Sequence, residues 1–263
     1  KDKVLIKALS LLIFGSPLWE KALRNIRKLM LINYSEDKQV NKNVISFTIA
    51  LGSQCFLNEY VYYISEQEKI KLEEIKKSIH NNKNQEYKLA LISCYQALYS
   101  INNELIDLNN HRSNNKEFKN LLEIQVGEKL IEQSISKKIA KVGTVSDLIS
   151  REVKNQYESN PYPRWRYNSY AKDKRINHLS IINSEIYPNS IKNEKINLTA
   201  EKLNILIAGC GTGIQILDAS RYNNCEITAI DLSNSSISYA KRKVDEYGMK
   251  NVNFIEMDLL ELT

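Results

Sequence analysis

The chain has 263 residues, of which 43% are hydrophobic and 26% are charged, and its formal net charge is +6. This composition is typical of a globular protein, and a chain of this length usually forms one or two domains. No apolar run reaches the roughly 18 residues that a membrane-spanning helix needs, so we expect no transmembrane helix and no membrane partner. The N-terminal sequence has neither an initiator Met nor a signal-peptide pattern.

The cysteines and histidines form no recognisable metal-binding pattern. Cys55, Cys94, Cys210 and Cys225 show no CxxC spacing, and the three histidines are scattered through polar segments. We therefore predict no metal site. Cysteines that are neither paired in a disulfide framework nor bound to metal are typical of a reducing compartment, which predicts a cytoplasmic protein.

The positive charge is concentrated in the middle of the chain. Residues 151–200 carry nine Lys or Arg against five Asp or Glu, whereas residues 201–263 carry six against nine. A basic segment can bind an acidic partner. The segment has no recognised nucleic-acid motif, so we interpret it as a solvated linker and expect no nucleic-acid partner.

Residues 1–150 predict a helical domain. Apolar residues recur at three- and four-residue steps over 17–32, which predicts an amphipathic helix. Segments 44–64 and 86–99 are apolar nearly all round, which is typical of helices buried inside a bundle. A fourth helix is predicted from Phe118 to about Ile139.

Residues 151–200 predict a linker that contains an aromatic strap. The stretch "QYESNPYPRWRYNSY", residues 156–170, holds two prolines, four tyrosines and one tryptophan. Because a residue before proline is biased towards extended geometry, we expect an extended strap and no helix here. Tyr157, Tyr162 and Trp165 are candidates for a cofactor lid or the wall of an acceptor pocket. The alternative is that they cover a sheet edge and tie the helical domain to it.

Residues 201–263 predict alternating strands and helices. The predicted strands are 203–208, 226–230 and 251–257, and the predicted helices are 214–222 and 233–247. The order β-α-β-α-β is the first half of a doubly wound parallel sheet. The predicted fold class is therefore an N-terminal helical domain followed by a partial Rossmann-like α/β domain.

The stretch "AGCGTG" places three glycines between a buried strand and a helix. Such a turn brings backbone N–H groups to the positive end of a helix, and glycine lets a ligand approach them closely. We predict a nucleotide-like ligand over this turn, with Asp231 at the end of the next strand accepting ribose hydroxyls. The turn residues assigned to this site are Gly209, Cys210, Gly211, Thr212 and Gly213.

The spacing of the glycines favours S-adenosylmethionine over a dinucleotide. The turn is GxGxG, and Ile214 follows it, whereas the dinucleotide fingerprint is GxGxxG. We expect Asp258 to accept a hydrogen bond from the adenine amino group, with Met257 and Leu259 beside the base and Leu232 against its face. An NAD-binding oxidoreductase half-domain is the alternative.

These motifs resemble a known family. "ILIAGCGTG", "ITAIDLS" and "NVNFIEMDLLEL", within residues 203–262, resemble the class I S-adenosylmethionine-dependent methyltransferases. With "QYESNPYPRW" they are similar to bacterial methyltransferases that often carry tetratricopeptide repeats ahead of the catalytic domain. The resemblance implies that Gly209, Gly211 and Gly213 line the methionine moiety, Asp231 the ribose and Asp258 the adenine. Relatives tend to have Gln-His after the last glycine, whereas this chain has Ile-Gln.

The implied activity is methyl transfer from S-adenosylmethionine to an unidentified acceptor, either a protein or a small molecule. Acceptor-binding residues in this fold usually follow the fourth strand, so we expect the catalytic residues beyond Thr263 and the chain to be part of a longer protein. The helical domain suits a protein acceptor and equally suits a homo-oligomer. A further alternative is a helical interaction scaffold whose methyltransferase-like part is vestigial.

Overall fold

The computed structural model describes residues 2–81, 83–102, 104–168, 178–191, 202–222 and 224–262. It divides into a helical unit, Lys1–Ile131 with Pro163–Tyr167, and a sheet unit, Glu132–Tyr162 with Asn168–Thr263. The division differs from the predicted domain boundaries at 150 and 200. Residues 132–150 group with the sheet, and the predicted strap is shared between the two units. The end of the strap, 169–170, and most of the linker predicted after it lie outside the described residues.

The helical unit is built from short helices. Those among the described residues are α1 (Lys3–Leu11), α2 (Pro17–Ile32), α3 (Lys42–Leu57), α4 (Glu66–Lys77), α5 (Gln85–Ser93) and α6 (Lys116–Leu122), and α7 (Glu128–Ser136) crosses into the sheet unit. The helix predicted over 17–32 is confirmed. The separate helices α1 and α4 were missed, α4 because it is polar along most of its length. Within the described part of the chain, no helix is both long and apolar enough to span a membrane.

The core of the helical unit forms around α3 and α5, whose side chains are buried from Thr48 to Leu57 and from Tyr87 to Ser93, as their apolar sequences predicted. The first turn of α3 is exposed, and Val44 in it is 40% exposed. However, α3 ends at Leu57 and does not continue to 64. Glu59 and Tyr60 adopt left-handed conformations with φ of 55° and 56°, and the Tyr60 N–H donates to the Cys55 carbonyl at 2.8 Å. A left-handed residue directly after the helix closes it. The Glu59 carboxylate forms an ion pair with Arg164.

The helix predicted from 118 to 139 is interrupted by a π-helix over Glu123–Gly127. Gln125 lies in this wider turn and is fully buried. Its side chain accepts a hydrogen bond from the Leu98 N–H at 3.0 Å and donates to the Gly52 carbonyl at 3.1 Å. The π-helix thus places a polar side chain inside the core with both ends satisfied, which hydrophobic periodicity does not reveal.

The sheet unit contains a parallel sheet in the order β1-β4-β3-β2. Its elements are β1 (Ala140–Lys141), α8 (Leu148–Ser159), α9 (His178–Glu185), β2 (Leu203–Ala208), α10 (Ile214–Ala219), β3 (Cys225–Asp231), α11 (Asn234–Glu246) and β4 (Val252–Glu256). The predicted order from β2 to β4 is confirmed. The edge strand β1 was missed because two residues carry no detectable pattern.

The predicted extended strap begins as a helix. In α8, Asp147 caps the N-terminus by accepting the Ser150 N–H at 2.8 Å, and the helix continues to Ser159. Asn160, directly before Pro161, leaves the helical conformation with φ of −136°. Proline restricts only the residue before it, so the helix runs up to that point and the extended chain starts there.

Candidate functional site

A cavity of about 280 Å³ lies in the sheet unit at the carboxyl ends of β2 and β3. It is lined by Val153, Lys154, Tyr157, Tyr162, Gly209, Gly211, Asp231, Leu232, Ser233, Ser236 and Leu259. Ligands of open α/β sheets bind at this edge, and pockets for small molecules hold roughly 300–1,000 Å³. The cavity is therefore in the expected place and close to the lower end of the expected size.

The three glycines of the turn have two different roles. All have positive φ, 73° at Gly209, 49° at Gly211 and 88° at Gly213. A Cβ on Gly211 would meet no atom of the described residues within 4 Å, whereas a Cβ on Gly213 would lie 2.8 Å from the Cβ of Ala240. Gly209 and Gly211 thus face the cavity, and Gly213 allows α11 to pack closely. Although the turn departs from the GxGxxG spacing, its last glycine, Gly213, is a packing glycine.

Asp231 organises the turn. Its Oδ2 accepts the Gly211 N–H at 2.8 Å, its Oδ1 accepts the Ser233 N–H at 2.9 Å, and its carbonyl accepts the Met257 N–H at 2.9 Å. One carboxylate therefore holds the glycine turn and the loop after β3 together. A carboxylate oxygen can accept more than one hydrogen bond, so both oxygens keep capacity for hydroxyl groups of a ligand.

Cys210 and Thr212, between the glycines, are each only 3% exposed and do not line the cavity. Burial, together with the Asp231 carboxylate, raises the pKa of the Cys210 thiol well above its usual value. The thiol is therefore protonated at neutral pH and is unsuited to act as a nucleophile.

The segment after β4 contributes to the cavity through Leu259. Asp258 is 5% exposed, and its Oδ1 accepts the Leu260 N–H at 3.0 Å, which caps a short 3₁₀ helix over Leu259–Glu261. Neither Asp258 nor Met257 lines the cavity. Leu232 and Leu259, which were predicted to contact the base, do line it.

The opposite wall comes from α8 and the residues after it. Val153, Lys154 and Tyr157 project from α8, and Tyr162 follows. Trp165 instead is buried in the helical unit, 8% exposed. Val153, Lys154, Ser233 and Ser236 were missed as site residues. Val153 and Tyr157 are four residues apart on one helix face, a signal that is visible only if α8 is first predicted as a helix.

Two carboxylates tie α8 to the start of α11. Glu158 accepts the backbone N–H of Asn234 at 2.7 Å and that of Ser235 at 3.0 Å. Lys154 forms an ion pair with Glu256, which also accepts from the Asn234 side-chain amide at 2.9 Å. Because Asn234 takes part in both connections, the wall formed by α8 is held against the loop that follows β3.

We expect Glu256→Gln to make the free energy of unfolding less dependent on pH in the acidic range. Burial alone would raise the pKa of Glu256, but hydrogen bonds from Lys154 and Asn234 lower it below the ordinary 4.5. The carboxylate's contribution is complete above pH 4.5 and decreases as the pH falls through the lowered pKa. The variant should lose about 1–3 kcal/mol of unfolding free energy at pH 7 and less at pH 3. Urea unfolding at both pH values measures this, with exposed Glu152→Gln as control; an equal loss at both would contradict it.

We expect alanine substitutions to separate the two kinds of glycine. Gly213→Ala should lower the free energy of unfolding by about 2–4 kcal/mol, because it adds a clash with Ala240 to the strain of a left-handed residue. Gly211→Ala carries only the strain, so about 1–2 kcal/mol is expected. Urea denaturation of both variants measures the difference. Equal destabilisation would show that Gly213 has no special packing role.

Comparison with known proteins agrees with this geometry. Residues 205–263 match a family model described as a methyltransferase domain. No curated protein matches the chain. The matched range contains the glycine turn, Asp231 and Leu259, whereas α8 and the helical unit lie outside it; the tetratricopeptide resemblance stays a prediction. The segment from residue 205 to 263 is therefore similar to a methyltransferase domain.

Proposed function

We propose that the chain binds S-adenosylmethionine in the cavity at the ends of β2 and β3 and holds it for methyl transfer to an acceptor. The observation that carries the proposal is the glycine turn open to the cavity, joined to the Asp231 carboxylate, inside a segment that matches a methyltransferase domain.

The residues around the cavity suit an adenosine cofactor. Open space above Gly211 allows a ligand to approach the backbone closely. Asp231 has acceptor capacity for ribose hydroxyls. Leu232, Leu259 and Val153 supply apolar surface for a base. These features match the donors, hydroxyls and aromatic surface of S-adenosylmethionine, and the proposal does not require Asp258 to reach the adenine.

The chain's contribution to catalysis in this proposal is positioning. When bound, S-adenosylmethionine supplies a methyl group already activated on a sulfonium sulfur. Asp231 and the glycine turn orient the cofactor, and α8 with Tyr162 shields one side of it from water. The protonated, buried Cys210 is not a candidate for activating an acceptor.

The acceptor and the location belong to the same proposal. We propose a cytoplasmic enzyme whose acceptor is a protein or a small molecule, with the helical unit serving a protein acceptor or self-association. The methyltransferase match does not support the NAD-dependent oxidoreductase or the interaction scaffold.

Calorimetric titration with S-adenosylhomocysteine, the demethylated product, tests the cofactor. We expect saturable binding, no binding of NAD, and a gain in stability of about 2.7 kcal/mol at a hundredfold excess over the dissociation constant. Binding of NAD in place of S-adenosylhomocysteine would favour the oxidoreductase. A folded chain that binds neither would contradict the proposal.

A further inference from the structure

We propose that Glu158 is a specificity-determining residue, which makes the cavity accept an adenosine whose ribose is unphosphorylated and reject one that carries a ribose phosphate. This inference rests on the proposed adenosine site. It adds a discrimination against ribose phosphates that follows from neither the glycine turn nor the family match.

The first observation is that the backbone N–H groups after β3 donate to the protein's own carboxylates. Asp231 accepts the N–H of Ser233 at 2.9 Å, and Glu158 accepts those of Asn234 at 2.7 Å and Ser235 at 3.0 Å. Three consecutive backbone N–H groups are thus bound to two carboxylates. The next N–H, that of Ser236, donates to the Ser233 hydroxyl at 3.1 Å.

Such a run of N–H groups at the start of a helix is otherwise a binding site for anions. The positive end of the helix and the aligned donors favour phosphate, sulfate or carboxylate. Here α11 is a 13-residue helix, and Glu158 fills this position from α8. The site is built for an anion, and the anion is supplied by the chain itself.

The occupied position is flanked by residues that line the cavity. Leu232, Ser233 and Ser236 line it; Asn234 and Ser235, which Glu158 binds, lie between them in the sequence and do not line it themselves. A ribose held by Asp231 would therefore present its hydroxyls next to this loop. A phosphate on that ribose would find no free N–H in the first turn of α11 and would face the negative charges of Asp231 and Glu158.

The test compares adenosine with adenosine 2′-monophosphate and adenosine 3′-monophosphate, by calorimetry on the full 263-residue chain. For the wild-type protein we expect both phosphates to bind at least tenfold more weakly than adenosine. Glu158→Gln removes the charge at nearly constant size. We expect it to lower about tenfold the ratio of each phosphate's dissociation constant to that of adenosine. Glu158→Asp keeps the charge and should keep most of the wild-type ratio. Glu152→Gln, an exposed acid on the same helix, is the matched control and should leave it unchanged.

A loss of stability alone would weaken all three ligands together, so the ratio separates selectivity from folding. If Glu158→Gln does not fold, the wild-type ratio measured at 50 and 500 mM KCl replaces it, because charge repulsion is screened by salt. A ratio that changes with neither charge nor salt would overturn the inference while leaving the adenosine site in place. If the wild type binds neither adenosine nor S-adenosylhomocysteine, the proposed function is overturned and this inference with it.

Discussion

Replacing Asp231 with alanine is expected to weaken the binding of S-adenosylhomocysteine by about 10- to 150-fold, the equivalent of losing hydrogen bonds to a charged group worth about 1.5–3 kcal/mol. The variant removes the acceptor proposed for the ribose. It also leaves the N–H groups of Gly211 and Ser233 without their carboxylate, so the turn is less well ordered before the ligand arrives. Calorimetry at constant salt measures the change.

Two further variants make this result specific. Asp231→Asn preserves the shape but places an amide where the carboxylate accepted two N–H groups, so we expect an intermediate loss. Asp218→Ala changes an exposed acid on α10 that is paired with Arg221, and we expect unaltered affinity. If Asp231→Ala binds as tightly as the wild type, the ligand does not depend on this carboxylate and the assigned site is wrong.

Arg242→Met is expected to lower the free energy of unfolding by about 3–5 kcal/mol, the usual cost of breaking a buried ion pair from one side. Both partners are 3% exposed, and the Arg242 Nε donates to the Glu132 carboxylate at 3.1 Å. The guanidinium also lies 4.7 Å from the centre of the Tyr239 ring. Without it, Glu132 remains as a buried carboxylate that has lost its cation. Urea denaturation monitored by circular dichroism measures the loss.

The double variant Arg242→Met with Glu132→Leu tests this explanation. Removing both charges should restore more than half of the lost stability, because no uncompensated charge is left in the interior. On the same helix, Lys241→Met breaks only an exposed pair with Asp245, so about 0–1 kcal/mol is expected. If Arg242→Met costs no more than this control, the pair between α7 and α11 does not stabilise the sheet unit.

Local sequence signals were sufficient for the elements around the glycine turn. The apolar run over 203–208 was read correctly as a strand, but not as a buried one: β2 is an edge strand of the described sheet, and Leu206 is 52% exposed. The position of Asp231 at the end of β3 was read correctly. So were both ends of α11, where Ser233 caps the start through the Ser236 N–H and Gly248 follows the end with φ of 68°. These signals work because strand propensity, capping and left-handed glycines depend on residues only a few positions apart.

Signals were misleading where a distant contact decides the local structure. The prolines near Pro161 suggested an extended strap, but α8 forms ahead of them and is held by Glu158 at the start of α11. Trp165 was grouped with Tyr162, three residues away, although the two belong to different units. Neither outcome can be read from the spacing of aromatic residues.

The sequence by itself determined the order of strands and helices from β2 to β4, the glycine turn after β2 and the acid that faces it. Only the tertiary structure decided that Gly211 borders a cavity while Gly213 packs against α11, and that α8 supplies the opposite wall. The physical reason is the range of the interactions. Strand, turn and cap are fixed within a few residues, whereas a cavity exists only after segments such as Tyr157 and Gly209, far apart in the chain, are brought together.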